Sequence, residues 1–164
     1  MKTLYLARHA KSSWKHPELS DIERPLNKRG KRDAPIIGNL LKEKGVKPDK
    51  LISSHAVRAQ KTAVVIADII GYPKNKISID ENIYEASSTE LINIIQGIDD
   101  KYNSVMMLGH NPSFTMVNNY LTDSIIENIP TCGVVGIRFN SSWKKIAGAS
   151  GKAFFFIYPK LFMK

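Results

Sequence analysis

The chain has 164 residues, 43% of them hydrophobic, and its 24 basic against 15 acidic side chains leave a net charge of +9. That length suits a single domain, residues 1–164, and the apolar content argues against disorder; the charge favours anionic partners without choosing among them. The lone cysteine excludes an internal disulfide framework and a cysteine-rich zinc site, as a reducing cytoplasm would suit.

Residues 2–8 read as a buried strand, short, aliphatic and free of Gly and Pro, ending at Arg8 and His9. Residues 10–24 are polar and rich in turn formers, a long loop expected to rim whatever His9 does. Asn27 is a plausible N-cap for a helix with Ile36, Ile37, Leu40 and Leu41 on one face and Gly45 as its stop; Pro35 should bend it or delay its start. Residues 50–53 form a short second strand, and residues 57–70 a strong helix ended by Gly71. A weak third strand is expected over residues 76–79, then a polar stretch to Ser88 and a short helix that Thr89 could cap, over residues 89–97. Residues 104–108 are a buried strand, leaving through Gly109-His110-Asn111-Pro112 into a helix over residues 113–121. Residues 133–139 and 153–158 read as strands joined without a helix, an antiparallel pair added to a parallel sheet. No run approaches the ~20 apolar residues of a membrane helix, and the N-terminus is short for a signal peptide, so a cytoplasmic protein is expected.

Three strand exits carry basic or imidazole groups: Arg8-His9, Arg58 one turn beyond the second exit, and His110. Parallel strands would bring them to one edge of the sheet, where ligands of open α/β proteins bind. Arginine offers a planar fork of donors to phosphate oxygens, and a neutral imidazole offers a nitrogen nucleophile. Nearby positive charge is expected to keep His9 neutral.

The motifs on which these residues lie resemble those of the histidine phosphatase superfamily, and within it the SixA-type phosphohistidine phosphatases. They are Leu6-Ala7-Arg8-His9-Ala10; Arg24-Pro25-Leu26 followed by Gly30; Ser53-Ser54-His55-Ala56-Val57-Arg58-Ala59-Gln60-Lys61-Thr62-Ala63; and Leu108-Gly109-His110-Asn111-Pro112. Ala10, His55 and Lys61 depart from the usual Gly, Pro and Gln; an alanine at position 10 must avoid positive φ. The resemblance implies a phosphoglycerate mutase-like fold, a three-layer α/β/α sandwich with a mixed, mainly parallel central sheet. It also implies a phosphohistidine intermediate on His9, with Arg8, Arg58 and His110 around the phosphoryl group, and no metal or other cofactor. Arg24 matches a further phosphate-site arginine of the SixA branch. Glu85 lies near the proton donor of relatives that act on phosphate esters, with Glu81 as the fallback.

Alcohol leaving groups need a proton, whereas imidazole, with a pKa of about 6.5, is already a good leaving group. A phosphohistidine substrate could therefore dispense with Glu85. The short stretches between motifs point to an open site, suited to a phosphoryl group displayed on a protein, with a small phosphoester as the alternative. A monomer is favoured. Cys132 to Arg138 has the Cys-x5-Arg spacing of cysteine-dependent phosphatases, but reads as strand rather than as a phosphate loop opening a helix. A metal site from His9, His16, His55 and His110 lacks local ligand spacing, and the dispersed lysines do not form a nucleic-acid motif.

Overall fold

The computed structural model describes residues 1–162. Its strands are β1 (Lys2–Arg8), β2 (Lys50–Ser53), β3 (Ser78–Ile79), β4 (Ser104–Gly109), β5 (Val134–Phe139) and β6 (Gly151–Ile157). Its α-helices are α1 (Lys28–Glu43), α2 (Val57–Ile70), α3 (Ser88–Gln96) and α4 (Ser113–Leu121). One sheet runs in the order β3-β2-β4-β1-β5-β6. The first four strands are mutually parallel, while β5 is antiparallel to β1 and β6 to β5.

Alternation along β1 shows why its sequence is apolar throughout. Leu4 and Leu6 face a layer formed by α3 and α4, among Leu91, Ile95, Phe114, Val117 and Leu121. Tyr5 and Ala7 face α1 and α2, among Ile37, Leu41, Ala63 and Ile66. A strand covered on both faces has no polar side to show. Each Leu or Ile taken fully out of water contributes about 2 kcal/mol, so the two clusters hold the three layers together.

Several boundaries differ from the sequence expectation. Helix α1 starts at Lys28 and runs through Pro35, with no late start. The proline removes the donor for the Lys31 carbonyl, but Lys31 is exposed, so water can serve it. The third strand shrinks to Ser78–Ile79, because Pro73 starts a 3-10 turn over Lys74–Lys76. Ser87, not Thr89, caps α3: its Oγ accepts from the Glu90 N–H, and Glu90 Oε1 accepts from the Ser87 N–H at 3.0 Å. That reciprocal box satisfies two orphan donors, which Thr89 one turn inside could not do. Strand β6 begins at Gly151 because it pairs with β5 up to Phe139. The connection before it contains one 3-10 turn, Trp143–Lys145, whose indole is fully buried and donates to the Tyr102 carbonyl at 2.7 Å.

Candidate active site

Parallel register sets the strand ends level: Arg8 lies opposite Gly109, and Ser53 opposite Leu108. His9, Ser54 and His110 are therefore the first residues beyond three neighbouring strands. The backbone there is interlocked. His9 N–H donates to the Gly109 carbonyl at 3.1 Å, Ser54 N–H to Leu108 at 3.0 Å, and Cys132 N–H to His9 at 2.9 Å. The Thr62 hydroxyl accepts from Ala10 N–H at 2.9 Å and donates to the Arg58 carbonyl at 2.8 Å, tying α2 to the exit of β1. Ala10 is buried and avoids positive φ, as its side chain requires.

His9 is 7% exposed, and its Nδ1 lies 2.7 Å from the Ala10 carbonyl oxygen. A carbonyl can only accept, so Nδ1 carries the proton and the Nε2 lone pair is free. Burial lowers the His9 pKa to about 3; the Ala10 carbonyl opposes this, while His110, Arg58 and Arg8 push it further down. The expected neutrality is present, but burial leads and neighbouring charge follows.

The His110 ring lies 5.2 Å from that of His9 between centroids, and its Nε2 is 2.8 Å from Ser54 Oγ. Ser54 is fully buried and, among the described residues, its hydroxyl has no acceptor other than His110 Nε2, so its proton lies there and Nδ1 is the protonated nitrogen. That Nδ1 is buried with no protein partner, as are the Nε atoms of Arg8 and Arg58. Burial, then the charges of Arg58 and Arg8, lower the His110 pKa to about 4, against a raising effect from Asp21. Burial and then Arg58 lower the Arg8 pKa as well. Two like charges and three unpartnered buried donors at one place call for an anion with several acceptor oxygens.

Arg24 is placed otherwise. Its Nε donates to the Ser13 carbonyl at 3.0 Å, Nη1 to Asp21 Oδ1 at 2.9 Å and Nη2 to Ser12 Oγ at 2.5 Å. The exposed Trp14 ring covers it, 3.2 Å from the guanidinium carbon to the centroid. Arg24 thus fastens the rim loop, which a Ser12–Leu26 bridge closes at its base. Gly30 belongs to the same device: a Cβ there would sit 2.1 Å from the Lys11 carbonyl oxygen.

Asp21, which no motif flagged, joins the loop to the site. Its Oδ2 accepts from Arg58 Nη2 at 3.0 Å and from the Tyr84 hydroxyl at 2.6 Å, and its carbonyl accepts from Arg58 Nη1 at 2.7 Å. Burial raises the Asp21 pKa, but the bonds from Tyr84, Arg24 and Arg58 outweigh it and hold the carboxyl well below the usual range. Tyr84 meets both His110 and His55 edge-on, each with centroids 5.5 Å apart. Glu85 does not join them. It is exposed, has a φ of 59°, and makes no hydrogen bond or ion pair with the described residues. Glu81 is likewise exposed, in a 3-10 turn over Glu81–Ile83. Cys132 is 1% exposed beneath His9, and burial pushes its thiol pKa up, so no thiolate is available there.

A layered α/β fold that gathers a neutral imidazole, a second imidazole and two guanidinium groups at level strand exits defines a class of phosphoryl-handling protein. The chain belongs to the histidine phosphatase superfamily (branch 1), whose family model matches residues 4–113. That membership supports phosphatase activity. An uncharacterised chloroplastic protein of Arabidopsis thaliana is 29% identical over 159 residues, covering 92% of this chain and 72% of its own length. The structure of an Agrobacterium tumefaciens protein assigned as the phosphohistidine phosphatase SixA superposes with a TM-score of 0.78 at 26% identity, over 96% of this chain and 98% of that one. A protein histidine phosphatase SixA complexed with tungstate gives a TM-score of 0.84 at 16% identity, over 98% of this chain and 99% of the other.

Proposed function

We propose that the chain is a metal-independent phosphatase that removes phosphoryl groups from phosphohistidine on proteins, by way of a phosphohistidine intermediate on His9. The observation that carries this reading is the His9 tautomer: the bond from Nδ1 to the Ala10 carbonyl leaves Nε2 as the nucleophile. Nε2 forms a bond to phosphorus as the bond to the leaving nitrogen breaks, and, with the substrate ring protonated on its other nitrogen, the electron pair of that bond leaves a neutral imidazole. Water then attacks the same phosphorus, the His9–phosphorus bond breaks and its electron pair returns to Nε2. The water proton is lost to solvent and inorganic phosphate is released. Phosphoryl transfer asks chiefly for positioning and charge stabilisation, which Arg8, Arg58 and His110 supply through the donors they leave unpartnered.

The leaving group supports the substrate class. Neither Glu85 nor Glu81 touches the imidazoles or arginines of the site, and Asp21, which does, is held ionised by its bonds from Tyr84, Arg24 and Arg58, so no carboxylic acid is set to protonate an alkoxide, whereas a protonated imidazole ring leaves without such help. Arg8 and Arg58 repel a cation, so activity should persist in EDTA. The test is acid-labile phosphate trapping: a radiolabelled phosphoryl donor should label the wild-type protein through an acid-labile, base-stable bond, and label no His9→Ala protein. Labelling that survives in His9→Ala overturns the mechanism. Equal turnover of phosphohistidine peptide and phosphoserine peptide overturns the substrate class.

A further inference from the structure

We propose that Asp21 is the positioning residue of this site: its carboxylate grips Arg58 end-on, turns the other edge of that guanidinium toward the two histidines, and keeps the cationic cluster from retaining phosphate. This rests on the reading that Arg58 binds the phosphoryl group.

The geometry is specific. Arg58 Nη1 and Nη2 both reach Asp21, one to the backbone carbonyl at 2.7 Å and the other to the carboxylate at 3.0 Å. Those are the two end-on donors of the guanidinium fork. The side edge, with Nε buried and unpartnered, remains for a ligand. Arg58 is 6% exposed and its Nε is buried, so its free edge faces into the protein rather than solvent, and its charge lowers the pKa of His9, His110 and Arg8 as a neighbouring cation would. The same carboxylate holds the Tyr84 hydroxyl, and so sets the ring that flanks His110. Arg24 clamps the other oxygen, and the Ser20–Glu23 capping box stabilises the turn that carries Asp21. The side chain itself stays 48% exposed at the mouth, so its negative charge faces an arriving or departing anion.

Two consequences follow from one charge. A phosphate dianion held by Arg8, Arg58 and His110 has a fixed anion for a neighbour, which weakens its retention. Arg58 cannot swing with the leaving product, because Asp21 holds its far end. Asp21→Asn keeps the size and an acceptor oxygen, and the backbone carbonyl still meets Arg58 Nη1, but the negative charge is gone. The expected signature is that kcat and KM fall together, each about tenfold, and that inorganic phosphate, measured by titration calorimetry, binds about tenfold more tightly. The unfolding midpoint should fall by a few degrees, because the amide keeps an acceptor oxygen but loses the charge paired with Arg24 and Arg58.

A merely structural role would instead raise KM, with phosphate binding weaker; that result overturns the proposal. Unchanged KM and unchanged phosphate affinity overturn it as well. Calorimetry also separates this inference from the proposed function. If the wild-type protein turns over neither phosphohistidine peptide nor p-nitrophenyl phosphate, the proposed function fails, while tighter phosphate binding by Asp21→Asn still supports the role of Asp21. If Arg58→Ala binds phosphate as tightly as wild type, the premise is removed and the proposal is overturned.

Discussion

His9 owes its neutrality to a site that excludes water, and this has a consequence for activity. With its pKa near 3 and that of His110 near 4, neither imidazole should titrate between pH 5 and 8. The kcat/KM profile should therefore be flat from about pH 7 to pH 5, once the substrate's own ionisation is allowed for, where an ordinary histidine nucleophile would lose activity below about 6.5. A fall centred near 6.5 would show that His9 is solvated. Glu85→Gln belongs to the same scale. With its carboxylate exposed and unpartnered, turnover of phosphohistidine or phosphoramidate should stay within about twofold of wild type. Alkyl phosphates should show a larger loss only if Glu85 moves to the leaving oxygen. Comparing the two substrate types in one preparation checks this, and equal losses refute the division.

At the level of elements, the site is a junction between strand exits and α2, made by Thr62. Its hydroxyl serves the Ala10 N–H and the Arg58 carbonyl at once. Thr62→Val keeps the shape but strands a buried donor beside the nucleophile. A loss of about 1–3 kcal/mol in denaturant unfolding is expected, with a larger loss in kcat than in substrate affinity, since the Ala10 carbonyl would no longer fix the His9 tautomer. An unchanged kcat would mean that the Gly109 and Cys132 contacts position His9 unaided. Elements with strong local signals were legible in the chain: α2 and α4 run over the residues expected of them, and Asn27 caps α1 through its bond with the Gly30 N–H at 2.9 Å. Where two local signals competed, spacing alone chose wrongly. Ser87 prevails over Thr89 because Glu90 completes its capping box, and α1 continues through Pro35, whose missing donor would have served the carbonyl of the exposed Lys31. The weak third strand expected over residues 76–79 survives as β3 only where Ser78 and Ile79 pair with Ile52 and Ser53.

For the whole molecule, two buried neutral histidines make stability depend on pH. Each has its folded pKa depressed below the ordinary 6.5, so between that value and its folded pKa the unfolded chain binds the proton and the folded chain does not. Their contribution is fully present above pH 6.5 and is lost as pH falls toward 4 and then 3, with a slope of about 1.4 kcal/mol per pH unit for each histidine. Urea unfolding from pH 7 to pH 4 should show this decline, and His110→Asn should remove about half of it. A decline confined to below pH 4 would assign the effect to carboxylates such as Asp21 instead.

The sequence by itself determined the layered α/β class, the order of its strands and helices, and the three motifs that carry Arg8, His9, Arg58 and His110, because each is written in local chemistry: apolar period, cap, strand exit. It also marked Arg24 as a residue of the site region, but not its task. Only the tertiary structure decided that Arg24 is spent on the rim loop, that Glu85 faces solvent, and that Asp21, thirty-seven residues from Arg58, holds that arginine at its free end. A hydrogen bond between side chains far apart in the chain leaves no periodicity behind. It exists only after the sheet has brought their elements together, and burial, which sets the protonation of His9, is likewise a property of the assembled molecule.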